Sequence, residues 1–211
     1  MGIAYLHLLG VIAVTAASAE MPIQMIQNAP TSGTSGMLIQ ALVWGAILGL
    51  TFPLVWMSPG PLKYIVFTVY AVILGQMMVP LVKLLQDEDL LRSTLISTGG
   101  IFGGMTILSF LAPARSLSMG PYLFAALLGL ICAQFIGFFA GVTDAVSATT
   151  LKPAQRIAAW VGTGLFALYV AHDTQVMRVR VSAPSPDYVA ASIDLYLDIL
   201  NLFSELGVAR S

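Results

Sequence analysis

The stretch from residue 187 to residue 208, DYVAASIDLYLDILNLFSELGV, decides how the rest of the chain must be arranged. Asp187, Asp194, Asp198, Asn201 and Glu205 follow one another at intervals of 7, 4, 3 and 4. At ~100° per residue of an α-helix these positions fall within one narrow stripe. Between them stand Ile193, Leu195, Leu197, Ile199, Leu200, Leu202, Phe203 and Leu206. Insertion into lipid costs about 2.5 to 3.5 kcal/mol for a central Asp and returns about 0.3 to 0.6 for each Leu, Ile, Phe or Val. The apolar positions therefore offset one or two carboxylates, not three. Such a helix is reasonable in a membrane when other helices surround it and its acidic stripe faces protein and trapped water. The alternative, a helix lying on the membrane surface, usually carries Lys and Arg on its polar face, and here none precedes Arg210.

The remainder of the chain supplies the surrounding helices. Of 211 residues, 58% are hydrophobic and 9% charged, against roughly 25% charged in soluble domains, which excludes a soluble enzyme. With 9 Lys+Arg, 10 Asp+Glu and a formal charge of -1 there is no excess positive charge for a nucleic-acid partner. The single Cys132 excludes an intrachain disulfide and any multi-Cys metal site. Apolar runs of about the length that crosses ~30 Å of hydrocarbon occupy 3–19, 37–57, 64–85, 95–112, 122–142 and 157–177, with 187–208 as the last. The expectation is an all-α integral membrane protein, a seven-transmembrane-helix bundle forming a single polytopic membrane domain over 1–211.

The joints between these runs are polar or rich in turn formers. They are 22–36, Ser58-Pro59-Gly60-Pro61, Gln86-Asp87-Glu88-Asp89, 143–154 with Asp144, Lys152 and Pro153, and 178–186. Gly99, Gly100, Gly103 and Gly104 predict a packed inner helix that a neighbour approaches closely. Ala17-Ser18-Ala19 resembles a signal-cleavage site, but the preceding run has no basic head. Basic loop residues divide 5 against 4, so membrane orientation is not set by the positive-inside rule.

Asp173 adds a carboxylate near the end of the sixth run, and the short loop after it makes runs six and seven antiparallel neighbours. Their depths match if the sixth helix continues to Arg180 or the two are tilted. Two carboxylates close together in a low-dielectric site share a proton and titrate as a unit. His172 is expected to point away from its neighbour, because adjacent helical positions do not face one another. Gln76 and Gln134 are expected to bond between helices, and Cys132 to be an inert thiol.

Ala171-His172-Asp173-Thr174-Gln175, then Asp187-Tyr188-Val189 and the run from Leu195 through Asp198 and Asn201 to Phe203, resemble the C-terminal signature of the Bax inhibitor-1 (transmembrane Bax-inhibitor-motif) family. Ser58-Pro59-Gly60-Pro61, Gly99-Gly100 with Gly103, and Met119-Gly120 resemble its growth-hormone-inducible, mitochondrial branch. The resemblance implies a bundle with the last helix central and a pH-sensitive acidic pair, Asp173 and Asp198. It further implies calcium permeation or calcium/proton exchange and a link to suppression of cell death. Asp194, Asn201 and Glu205 are candidate supporting residues. Calcium is then a transported ion held transiently by Asp173 and Asp198, with no tightly bound cofactor. Where some relatives pair the first acid with a base near the second helix, the only nearby candidate here is Lys63.

Expected partners are the lipid bilayer, calcium, protons, and cell-death or channel proteins. The location is a multi-pass membrane one: mitochondrial inner membrane or endoplasmic reticulum in a eukaryote, cytoplasmic membrane in a bacterium. A non-transporting scaffold for channels or cell-death proteins is the alternative. An intramembrane aspartyl protease is more remote, since Leu195-Tyr196-Leu197 precedes the second acid instead of Gly-x-Gly and no Pro follows. No enzymatic activity is expected.

Overall fold

The apolar runs fold as helices, because in lipid the backbone must satisfy its own hydrogen bonds. A computed structural model describes residues 1–20, 45, 47, 49–51, 53, 54, 56–111, 118–142, 147–184 and 186–211. Its helices are α1 (Gly2–Glu20), α2 (Pro61–Asp87), α3 (Leu91–Leu111), α4 (Gly120–Val142), α5 (Ala148–Arg180) and α6 (Tyr188–Arg210). Described residues between 45 and 54, and Trp56, are also helical, and no strand occurs among the described residues. The expected loop at 22–36 and most of the span at 37–57 lie outside them. The first 19 helical residues, α2, α3 and residues 120–137 of α4 are long and apolar enough to cross a membrane. Helices α5 and α6 are more polar, yet at 33 and 23 residues they extend about 50 and 35 Å at 1.5 Å per residue.

Helix α5 departs most from the sequence expectation, beginning at Ala148 instead of 157. Ser147 precedes its first turn, its carbonyl accepting from the Thr150 and Leu151 N–H groups at 3.0 Å. Pro153 falls inside the helix, close enough to the start that its missing N–H removes only one early backbone bond. At the other end α5 continues to Arg180, the extension needed to carry Asp173 deeper. Asp173 then lies about 10 Å from the end of α5 and Asp198 about 15 Å into α6.

Contacts divide the chain into two compact units. In the first, Met1–Val82 with Arg180–Tyr196, α1 buries Ala4, Leu8, Val11, Thr15 and Ser18, one stripe of its surface. Gly75 permits the approach of α1 to α2, since a Cβ there would stand 2.4 Å from the Thr15 carbonyl oxygen. Thr15 gives its proton to backbone carbonyls of Val11 and Ala71, at 2.9 and 3.3 Å, so the hydroxyl of Tyr196 donates to Thr15 Oγ1 at 2.7 Å. Tyr196 is fully buried and meets Phe67 and Tyr70 edge to face. Gln76 donates to the carbonyl and hydroxyl of Ser18, confirming its expected place between helices.

Lys63 stands in the first turn of α2, wholly buried, bonded to the Met57 carbonyl at 3.0 Å and to the Asp187 carboxylate. Its carboxylate partner is thus Asp187, just before α6, where the expectation had set it opposite Asp173, the first acid of the expected pair. Asp187 is not a member of the helical stripe: it precedes α6 and caps it, its Oδ1 accepting from Ala190 N–H at 3.0 Å. His7 stacks between Tyr64 and Tyr188, with ring centroids 5.2 and 6.3 Å away.

The second unit is Lys83–Val179 with Leu197–Ser211. Its core joins Leu123 and Leu130 of α4, Leu165 and Phe166 of α5, and Leu202 and Leu206 of α6. The expectation for Gly99, Gly100, Gly103 and Gly104 fails: a Cβ on any of them meets nothing within 4 Å. Helix α3 instead buries Thr94, Thr98 and Ser109, and its glycines lie on the open side. Ser109 donates to the Ala171 carbonyl at 2.8 Å. The acidic joint after α2 ends that helix in a Schellman pattern, Leu90 N–H to Leu85 carbonyl and Asp89 N–H to Gln86 carbonyl. Asp89 occupies its left-handed position at φ 55°.

Two stability outcomes follow. Asp89→Gly relieves the left-handed strain and is expected to stabilise by up to ~1 kcal/mol, read as a higher unfolding temperature in detergent. Lys63→Ala strands the Asp187 carboxylate and is expected to destabilise by about 2 kcal/mol, below the full cost of a buried broken pair because Asp187 keeps some solvent contact. An unchanged unfolding temperature for Lys63→Ala would contradict that role.

Candidate functional site

The acids of the C-terminal stretch do not form one cluster; the fold gives them separate neighbourhoods. Asp187 belongs to Lys63. Asp194 pairs with Arg180 on the exposed side of the first unit, and Arg180 also bonds the Ala190 carbonyl at 3.0 Å. Asn201 is exposed. Asp198 and Glu205 alone among the five are buried, at 4% and 9% exposure.

Glu205 enters the packing of α4, α5 and α6. Gln134 of α4 donates to its Oε1 at 2.6 Å. Gly162 of α5 provides the space, because a Cβ there would stand 2.6 Å from Glu205 Cδ and 2.8 Å from Oε2. Gly162 thus performs the close-approach role that the sequence pattern assigned to α3. The expected interhelical role of Gln134 is met, and its partner is a carboxyl group.

Asp198 lies two turns before Glu205 on α6, and Asp173 lies one turn after Tyr169 on α5. Both aspartates belong to the second unit, and Tyr169 lies within electrostatic range of each. Tyr169 packs beside Phe166 with ring centroids 6.1 Å apart, joining this polar neighbourhood to the apolar core of α4, α5 and α6. Thr174 and Gln175, which follow Asp173, are buried, and Gln175 donates to the Ser109 carbonyl at 3.3 Å. Among the described residues, no group of three or more His, Cys, Asp or Glu side chains could hold a metal ion.

His172 corrects the sequence expectation. Its Nδ1 lies 2.7 Å from Asp173 Oδ1, and the two side chains are 15% and 14% exposed. Successive helical side chains point ~100° apart, yet the long imidazole folds back along the helix surface to reach the carboxyl group. The ring sits against Gly120, the first residue of α4, where a Cβ would stand 3.1 Å from Nε2. Spacing rules could not reveal this, because the vacancy that admits the ring is on another helix. Cys132 is exposed on α4, an apolar helix.

The family described as "Inhibitor of apoptosis-promoting Bax1" matches residues 2–208. The growth hormone-inducible transmembrane protein of Rattus norvegicus is 29% identical over 225 residues, covering 96% of this chain and 60% of the rat protein. Protein lifeguard 4 of Mus musculus is 30% identical over 120 residues, 57% of this chain and 46% of that protein. The inner membrane protein YbhL of Escherichia coli K12 is 26% identical over 121 residues, 54% and 48% of the respective chains. The chain spans about half to three-fifths of the length of these relatives. Its apolar helices make it a multi-pass integral membrane protein. With the match running through the helices that carry Asp173 and Asp198, the chain belongs to the Bax1-inhibitor family of membrane proteins.

Proposed function

We propose that this protein is a pH-sensitive path for calcium across its membrane, a leak channel or a calcium/proton exchanger, with Asp173 and Asp198 as its acidic pair. The observation that carries the proposal is that Asp173 of α5 and Asp198 of α6, two carboxyl groups on different helices of one compact unit, are only 14% and 4% exposed. Ionisable groups within membrane helices are expensive and are retained where ions or protons pass. The proposal includes seven spans with α6 at the centre. It is supported by α6 contributing buried residues both before and after Tyr196.

Calcium takes 6 to 8 oxygen ligands. Two aspartates supply at most four, and water or backbone carbonyls complete the shell. An incomplete protein shell favours passage over storage. Glu205, two turns along α6 and bonded to Gln134, is a second carboxyl station on the same path. At low pH a proton shared by Asp173 and Asp198 leaves the pair with a single negative charge and relaxes the contact between α5 and α6. At neutral pH the ionised pair draws calcium in and releases that proton. The family description names apoptosis-promoting Bax1, and we extend the proposal to control of cell death through calcium.

The test is calcium flux into proteoliposomes that contain only this protein, measured across pH together with proton movement. Asp173→Asn and Asp198→Asn are each expected to lower flux at least tenfold at neutral pH and to flatten its pH dependence, since either change leaves one carboxylate and no shared proton. Unchanged flux and pH profile in both variants would remove the acidic pair from the account. Proton movement that tracks calcium in fixed ratio assigns exchange, and calcium movement without it assigns a leak.

A further inference from the structure

Asp173 is held by a neighbour that the proposed mechanism does not use. The His172 imidazole approaches Asp173 Oδ1 through Nδ1 at 2.7 Å, while its opposite edge, Nε2 and Cε1, lies 3.1 and 3.6 Å from where a Cβ of Gly120 would be. The ring is therefore confined on both edges, by the carboxyl group of α5 and by the first backbone turn of α4. An ionised carboxylate only accepts hydrogen bonds, so in that state Nδ1–H is the donor. A hydrogen bond from outside the ion's own ligands fixes a carboxylate's orientation, and losing such a bond commonly weakens metal binding 10- to 100-fold.

We propose that His172 is a positioning residue for the cation-binding carboxylate of Asp173, and that Gly120 is the socket that keeps the imidazole in place. The inference rests on Asp173 being a pathway residue, as proposed above. With Oδ1 tied to the imidazole, the carboxylate enters the site already oriented instead of losing rotational freedom on each capture.

The test is the calcium concentration that half-saturates flux in proteoliposomes. His172→Phe keeps a ring and removes the donor. It is expected to raise the half-saturating concentration about tenfold or more while leaving maximal flux nearly unchanged. His172→Asn restores an N–H near the Nδ1 position and is expected to return the value to within about threefold of wild type. Gly120→Ala, which displaces the ring, is expected to weaken saturation in the His172 protein and to add nothing once His172→Phe is present. A second measurement holds if His172→Phe does not fold. The chain has 2 His residues, so the imidazole nitrogen resonances of 15N-histidine-labelled protein come from His7 and His172 alone. Asp173→Asn is expected to move one Nδ1 resonance and leave the other in place.

Half-saturation unchanged in His172→Phe, with Asp173→Asn still losing flux, would overturn the positioning role and leave the acidic pair standing. Resonances unmoved by Asp173→Asn would likewise overturn it. Flux unchanged in Asp173→Asn would remove the acidic pair and this inference together.

Discussion

A carboxyl group inside a membrane helix must be given protein or water to face, and most of this structure answers to that requirement. Helix α6 carries Asp194, Asp198 and Glu205 through a sequence otherwise dominated by Leu, Ile and aromatic residues. No single helix of that composition is stable in hydrocarbon by itself. Each acid is accommodated differently. Arg180 meets Asp194 where both have solvent contact. Gln134 and the missing side chain of Gly162 house Glu205. Asp198 is buried within the second unit, to which Asp173 also belongs. Asp187, just before the helix, is neutralised by the buried ammonium group of Lys63.

These arrangements separate structural charge from charge available for function. Buried ion pairs rarely add much stability, but leaving one partner alone is costly. Lys63 with Asp187 and Arg180 with Asp194 act as fasteners at the start of α6, where Asp187 also supplies the cap. Tyr196 adds a neutral fastening in the same unit, its hydroxyl bound to Thr15 and its ring wedged against Phe67 and Tyr70. With the first half of α6 fixed in this way, Asp173, Asp198 and Glu205 of the second unit are the acids assigned to the proposed ion path.

The helices were legible in the sequence because apolar runs of membrane length have few other solutions. The boundaries of α1, α2, α3, α4 and α6 fall within four residues of the runs read from composition. The start of α5 was not legible, because Lys152, Pro153 and Arg156 have the composition of a loop while Ser147 holds the turn that begins a helix. Side-chain partnerships were legible only in kind. Gln76 and Gln134 had to find polar partners, but which ones depended on Ser18 and Glu205 arriving from distant parts of the chain. Glycine patterns misled for the same reason: four glycines on α3 face open space, while isolated Gly75, Gly120 and Gly162 each receive a neighbouring group. A missing side chain shows in the sequence; what fills its place does not. The pairing of His172 with Asp173 ran against a sound rule of helix geometry because a vacancy on α4 admits the ring.

The central claim is that the carboxyl groups of Asp173 and Asp198 meet at one site able to hold a divalent cation between them. Cadmium bridging tests it without reference to transport, in protein with Cys132→Ala and with Asp173→Cys and Asp198→Cys introduced singly and together. Micromolar cadmium should protect both thiols of the double variant from alkylation and leave each single variant reactive. Thiols in the double variant that alkylate as they do in the single ones would place the two residues apart and contradict the account.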